Sequence, residues 1–239
     1  MRIAVVSDIH ANLTAFEAVL ADLRQASPDL ILHGGDLANA GSHPAEIVDR
    51  VRDLGWPGVV GNTDEMLFRP ESLAEFAGQS PSLKAFFTAI GEMAVADREA
   101  LGDARLEWLR ELPGMQMHTP IALVHASPAS LWRAPAHTAG DTELASIYGP
   151  LGQPLAIYGH IHVPFVRNIG VLTVANTGSV GLPYDGDRRA AYLLLDNLQP
   201  TIRRVEYDVE REIKALAAST CPHAEWVARI LTSASPQMP

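Results

Sequence analysis

The sequence predicts an α/β fold, with α+β character in its second half, and three features of the 239 residues carry that expectation. Short apolar runs alternate with helical periodicity up to residue 60, a long helical pattern follows, and apolar runs bounded by turns take over after residue 163. Strand–helix–strand order implies parallel strands joined by right-handed crossovers.

Residues 3–6 read as a buried strand, because four apolar side chains follow one another without a polar break. Residues 13–23 read as a helix with Leu13, Phe16, Val19, Leu20 and Leu23 on one stripe, and Asn12 supplies its cap. Residues 30–32 form a second strand, 45–54 a second helix, and 58–60 a third strand after the break at Trp56 and Pro57. Between residues 65 and 112 the pattern is helical, with one stripe at Leu83, Phe86, Phe87 and Ile90 and another at Leu101, Leu106 and Leu109. We read 65–112 as a helical insertion, or cap, within a single domain spanning 1–239. Residues 121–124 and 155–158 are further strands, and the stretch 126–153 between them, with few periodic positions, reads as a long functional loop. Strands at 171–175, 190–195 and 202–207 follow, the first two separated by the turn-rich LPYDGDRR, and helices at 210–217 and 224–231 end the chain.

With 47% hydrophobic and 19% charged residues, the chain has material for one sizeable core. No run approaches the roughly 18 apolar residues that span a bilayer, and Asp8 arrives too soon for a signal peptide. The expectation is a cytoplasmic protein with no membrane partner. The single cysteine, Cys221, excludes an internal disulfide and a thiolate metal cluster, so any metal must be held by nitrogen and oxygen. A net charge of -10 argues against nucleic acid as the main partner. A small anionic substrate remains compatible, because bound cations reverse the local field.

The polar residues fall in a pattern. SDIH follows the first strand and brings Asp8 and His10; HGGD follows the second and brings Asp36; GN follows the third and brings Asn62. VHAS brings His125, and GHIH brings His160 and His162, which would share one face of an extended strand. Each residue alone has an ordinary structural role: Asp8 as a cap, Asp36 and Asn62 as turn residues after glycine, His125 as a hydrogen-bonded strand end. Recurrence at five strand ends is what singles them out, since the carboxyl ends of parallel strands share one edge and would gather these side chains in one crevice. Seven donors exceed the three or four protein ligands of one catalytic zinc site, and suit two cations that share a carboxylate. Mixed carboxylate, amide and imidazole donors favour Mn2+, Fe2+/3+, Zn2+, Co2+ or Ni2+ over Mg2+ or Ca2+.

D-x-H at Asp8 and His10, G-D at Asp36, G-N at Asn62, the histidine of VHAS and G-H-x-H ending at His162 together resemble the calcineurin-like metallophosphoesterases, in order and spacing over about 155 residues. The resemblance implies a four-layer αββα sandwich. It also implies one metal held by Asp8, His10, Asp36 and His162 and a second by Asp36, Asn62, His125 and His160, with Asp36 bridging. The cofactors would be two divalent transition metal ions, Mn2+ first among them. The catalytic set would be Asp8, Asp36, Asn62 and His125, serving in-line attack on phosphorus by a hydroxide shared between the metals. NTGSVGLPYDGDRRAAYLLLD further resembles a small bacterial and archaeal phosphoesterase branch, some members of which look like diadenosine polyphosphate hydrolases.

One position departs from the family's pattern: GNTD carries Thr63 where many members have a histidine that assists the leaving group. That favours a phosphodiester or nucleotide polyphosphate over a protein phosphoserine. His33, His43, His118 and His137 are candidate replacements, and Asp64 is either a partner for an imidazole or a helix cap. Trp132, Arg133 and His137, in the loop after His125, are candidate substrate-binding residues; Trp132 would stack a base or pack on the helices, and Arg133 would hold a distal phosphate or stay solvated. The rival readings are a non-catalytic metal-binding scaffold for protein partners and a protein phosphatase. The apolar helical stripes suit a homo-oligomer interface as well as a cap.

Overall fold

Two β-sheets face each other across an apolar layer in the computed structural model of the chain, which describes residues 1–239. One sheet contains β1 (Arg2–Val6), β2 (Leu30–His33), β8 (Ala190–Asp196) and β9 (Gln199–Val205), in the order β2-β1-β8-β9. The other contains β3 (Met115–His118), β4 (Ile121–Val124), β5 (Leu155–Tyr158), β6 (Phe165–Ile169) and β7 (Leu172–Asn176), in the order β3-β4-β5-β7-β6. β1 pairs with β2 in parallel, as β5 does with β4 and β7; the remaining pairs are antiparallel.

Side-chain alternation decides the layers. Ile3, Val5, Leu32, Leu193 and Leu195 point inward from one sheet and meet Ile121, Leu123, Leu155 and Ile157 of the other. Ala4 and Val6 point outward, onto α1 (Leu13–Ala26) and α2 (Pro44–Leu54), where Phe16, Val19, Leu23, Ile47, Val48 and Val51 are buried. On the opposite outer face, Val124, Ala156, Tyr158 and Val174 pack against Leu144 and Tyr148 of α6 (Asp141–Tyr148). The result is the expected αββα order, and burial of both strand faces explains why β1, β4 and β5 read as continuous apolar runs. Asn12 caps α1 as expected, its side chain accepting from the Ala15 N–H at 2.9 Å.

The remaining helices stand beside the sandwich: α3 (Asn62–Phe68), α4 (Glu71–Ala77), α5 (Lys84–Glu111), α7 (Val209–Ala218) and α8 (Ala224–Ser233). α5 is broken at Gly102, whose φ of 66° falls within the second apolar stripe of the 65–112 segment, between Leu101 and Leu106. Ala89 and Met93 of α5 pack with Leu216, Trp226 and Ile230 of α7 and α8. No helix is long and apolar enough to cross a membrane.

Four expectations differ from the structure. The parallel strands do not share one sheet; β1 and β2 lie in one and β4, β5 and β7 in the other. Residues 58–60 form no strand but a single bridge between Gly58 and His33, because the Val60 N–H turns away to the Pro113 carbonyl and α3 begins two residues later. The 126–153 stretch contains α6, a helix with only Leu144 and Tyr148 buried and no side-chain cap, so its periodicity is too short to stand out. β3 and β6 went unforeseen; they are edge strands whose residues are half-buried or exposed, without the apolar run that marks the central ones.

Candidate metal centre

The carboxyl ends of β1, β2, β4 and β5 converge at one edge of the two facing sheets. Beyond these ends the backbone is left-handed at non-glycine residues: φ is 55° at Asp8, 49° at His10, 53° at Asp36, 65° at His160 and 57° at His162. Such positions cost on the order of 1–3 kcal/mol each and persist where the surroundings over-determine them. Here the surroundings are loop-to-loop hydrogen bonds: Asp8 N–H to Gly35 O at 3.0 Å, His10 N–H to Asp36 O at 3.0 Å, and His160 N–H to Asp8 Oδ1 at 3.0 Å. His160 and His162 are therefore not neighbours on a strand face, since β5 stops at Tyr158 and each ring is aimed by its own left-handed residue. Two glycines permit the close approach of these loops. A Cβ on Gly61 would run into the Asp36 carboxylate, and one on Gly159 into the Asp8 carboxylate and the Ser7 hydroxyl.

The side chains meet in two groups that share Asp36. Asp8, His10, Asp36 and His162 form the first: His162 Nε2 is 3.2 Å from Asp8 Oδ1, His10 Nε2 is 3.1 Å from His162 Nε2, and Asp36 Oδ2 is 3.7 Å from His10 Nε2. The second comprises Asp36, His125, His160 and the Asn62 amide. Asn62 Oδ1 is 2.9 Å from His125 Nε2 and 2.8 Å from His160 Nδ1, and Asp36 Oδ1 is 3.5 Å from His125 Nε2. Asp36 thus turns one oxygen to each group. All of these residues are buried except His160, which is partly open.

The chemistry of the donor set suits cations. Nδ1 of His10, His125 and His162 each lies against a backbone carbonyl, of Asn39 at 3.1 Å, Gly34 at 2.8 Å and Leu182 at 2.6 Å. A carbonyl only accepts, so Nδ1 carries the proton and Nε2 presents a lone pair to the centre. Two such lone pairs face each other at 3.1 Å between His10 and His162, a contact that a shared cation turns from repulsive to attractive. Burial together with a neighbouring imidazole pushes the pKa of His10 and of His160 down to about 4, which keeps both rings neutral at pH 7. For His125, burial pulls downward, but the Asp36 and Asp8 carboxylates outweigh it and the net direction is up. For Asp8, burial pushes upward and is outweighed by His162, His125 and His10, which hold the carboxyl below its usual range.

Asp64 pairs with no imidazole. It accepts the N–H groups of Asp36 at 2.8 Å, Leu37 at 2.9 Å, Ala38 at 3.4 Å and Gly61 at 3.1 Å, and so caps α3 and pins together the two loops that carry Asp36 and Asn62. Burial and the Asp36 charge push its pKa up, against the pull of these donors. Thr63 donates its N–H to Asp36 Oδ1 at 2.9 Å and its hydroxyl to the Ala38 carbonyl at 3.3 Å. The Asn39 side chain, next to the carbonyl that holds His10, donates to Asp97 of α5 at 2.8 Å.

The two groups open into a cavity of about 300 Å3. Its floor includes His10, Asp36, Asn62, His160 and His162, and its walls come from α4, α5 and α8 together with Trp132 and Tyr184. Trp132 therefore lines the site, its indole N–H donating to Glu65 at 2.7 Å and its ring 5.1 Å from that of Phe76. Arg133 and His137 are exposed and are not among the lining residues; Arg133 packs over Phe76 at 5.3 Å and donates to Gln79. Of the candidate replacement acids, His33 is buried with neither ring nitrogen bonded and its ring against Gly58, His43 contacts Ser42, and none of His33, His43, His118 and His137 reaches the cavity.

The sequence pattern marks the helix at 224–231, but not the place of α8 and of Tyr184 at the site. Tyr184 sits in LPYDGDRR two residues after Leu182, with its ring 4.4 Å from that of His162. Burial and the Asp8 and Asp36 carboxylates push its pKa up, so it remains a neutral O–H donor. Its only signal was an aromatic residue in a segment read as a turn.

Comparison with known proteins gives concordant results. Residues 1–198 match the family model described as a calcineurin-like phosphoesterase superfamily domain. An uncharacterized protein of Methanocaldococcus jannaschii is 30% identical over 249 aligned positions, covering 94% of this chain and 95% of its own length. A protein of Synechococcus named as a probable cyclic nucleotide phosphodiesterase is 28% identical over 70% of this chain and 71% of its own. The crystal structure of a metallophosphoesterase from Sphaerobacter thermophilus superposes with a TM-score of 0.79 at 27% identity, covering 98% of this chain and 100% of that one.

Proposed function

The chain belongs to the calcineurin-like phosphoesterase superfamily, and from that premise we propose that it is a metal-dependent phosphodiesterase working with two divalent transition metal ions, Mn2+ foremost. The observation that carries the reading is Asp36, with one oxygen facing each of two buried donor groups. One ion would be held by Asp8, His10, Asp36 and His162, and the other by Asp36, Asn62, His125 and His160. Bound there, such ions supply positive charge that acidifies a water and neutralises phosphoryl oxygens.

The chain's own residues do the rest. Backbone carbonyls at Asn39, Gly34 and Leu182 hold three imidazoles in the tautomer that offers Nε2 inward. Asp64 holds the Asp36 and Gly61 loops in register. The walls from α4 and α5, within the 65–112 cap, flank the floor with apolar side chains and leave one side open at His160. In the net reaction the water oxygen bonds to phosphorus, the bond from phosphorus to the leaving oxygen breaks, and a monoester and an alcohol leave. Thr63 has its hydroxyl committed to Ala38, so the role of assisting the leaving oxygen is assigned to Tyr184, a neutral O–H donor among the cavity's lining residues.

A phosphodiester is favoured over a nucleotide polyphosphate because no lysine or arginine lines the cavity. A diester brings one negative charge to a site whose own side chains include two carboxylates, and needs less compensation than a polyphosphate. The test is metal-stripped protein reloaded with Mn2+ and assayed on bis(4-nitrophenyl) phosphate, 4-nitrophenyl phosphate and a phosphoserine peptide. The expected order of kcat/KM is diester, monoester, peptide; a peptide turned over fastest would move the reading to a protein phosphatase.

A further inference from the structure

The cavity beside the metal-facing residues is walled by hydrocarbon. Of its 21 lining residues 14 are hydrophobic, and the rest include no lysine or arginine. Phe76 of α4, Phe86 and Phe87 of α5, Trp226 and Ile230 of α8, and Trp132 form the walls. Their rings are locked edge to face: Phe86 lies 5.3 Å from Phe87 and 5.6 Å from Trp226, and Phe76 lies 5.8 Å from Phe87. Both indole N–H groups of the walls are already spent, that of Trp132 on Glu65 and that of Trp226 on the Gln237 carbonyl. A polar base edge or a second phosphate seated here would lose water without gaining a partner, which costs free energy.

We propose that the site selects phosphoesters whose organic group is uncharged and apolar, an aryl or compact alkyl group seated among these rings. The inference rests on the phosphoesterase reading for the phosphoryl end alone. Size agrees: a cavity of about 150 Å3 accepts a benzene-sized guest, so about 300 Å3 takes one phosphoryl group and one such substituent. The α8 part of the wall, Trp226 and Ile230, lies beyond residue 198, where the family match ends, whereas Phe76, Phe86, Phe87 and Trp132 lie within it. Dinucleoside polyphosphates are disfavoured by the same geometry, since no lysine or arginine lines the cavity and Arg133 stays exposed over the Phe76 ring.

The experiment is calorimetric titration of the Mn2+-loaded full chain with methylphosphonate, hexylphosphonate and phenylphosphonate, three probes with the same headgroup charge. Burial of the larger group predicts phenyl and hexyl binding roughly tenfold or more tighter than methyl. Phe86→Ala and Phe76→Ala, on different helices, should each shrink that preference severalfold, with thermal unfolding confirming that at least one variant is folded. Equal affinity for all three probes overturns the proposal, and so does a preference untouched in both folded variants. In parallel, bis(4-nitrophenyl) phosphate should be cleaved with a higher kcat/KM than diadenosine tetraphosphate, and the reverse order overturns it as well. A phosphonate preference without turnover of any ester overturns the phosphoesterase reading and leaves the cavity assignment standing.

Discussion

Replacing Asp64 by asparagine tests whether the two metal-facing loops are held by backbone N–H groups converging on one buried carboxylate. Oδ1 takes the N–H groups of Leu37 and Ala38, and Oδ2 those of Asp36 and Gly61. In Asp64→Asn one of these oxygens becomes an NH2, whichever way the amide is turned, and two buried donors face another donor. At about 1–3 kcal/mol for each orphaned group, the loss is about 2–6 kcal/mol. A domain of this size shifts its Tm by about 2–4 °C per kcal/mol, so the metal-free variant should melt roughly 4–24 °C below the parent in scanning calorimetry. Because the same loops carry Asp36 and Asn62, Mn2+ affinity measured against a chromogenic chelator should fall about 10–100-fold. A Tm within 2 °C of the parent together with unchanged affinity would refute the reasoning.

Tyr184→Phe removes a neutral donor from the cavity and should lower kcat about 10-fold or more for alkyl leaving groups while sparing 4-nitrophenyl esters; equal loss on both would remove its leaving-group role. Burial pushes Asp97 up to about 7, against the pull of Asn39. A carboxyl with a folded pKa above its unfolded 3.8 binds its proton more tightly in the native state, so stability is full below about pH 4 and is lost as pH rises toward 7. Asp97→Asn should therefore be more stable than the parent at pH 8, by up to about 4 kcal/mol, and equal to it at pH 4; a constant difference in urea unfolding at both would contradict this. Gly159→Ala drives a methyl group into the Asp8 carboxylate and should reduce metal content per chain, so a normal metal content measured by atomic emission would show the loop has slack.

Six of the seven candidate metal ligands were legible because they follow strand ends buried on both faces, the easiest elements to find by apolar runs, and Asn62 because it follows the short apolar run at 58–60, which forms only a bridge. What the runs did not carry was which sheet each strand joins. Pairing of β1 with β8, 190 positions apart at the Ala4–Leu194 pair, is not encoded locally, and the antiparallel insertion of β8 and β9 beside β1 splits the parallel strands into two sheets. The aiming of His160 and His162 was also hidden, since left-handed backbone at histidine is imposed by tertiary hydrogen bonds rather than by local preference. The cavity walls were half legible. Phe86 and Phe87 stood out as a stripe, whereas Trp226 reaches the site only because α8 folds back onto α5.

The central claim is that one carboxylate, Asp36, serves two metal sites at once, and the most direct measurement is metal content with activity on the same samples. Parent and Asp36→Asn proteins are stripped, reloaded with Mn2+, desalted, and assayed on bis(4-nitrophenyl) phosphate. The account predicts two ions per chain and turnover for the parent, and for the variant fewer than two ions and no measurable turnover. Near-normal turnover by Asp36→Asn, or a parent that is active with a single ion, would contradict it.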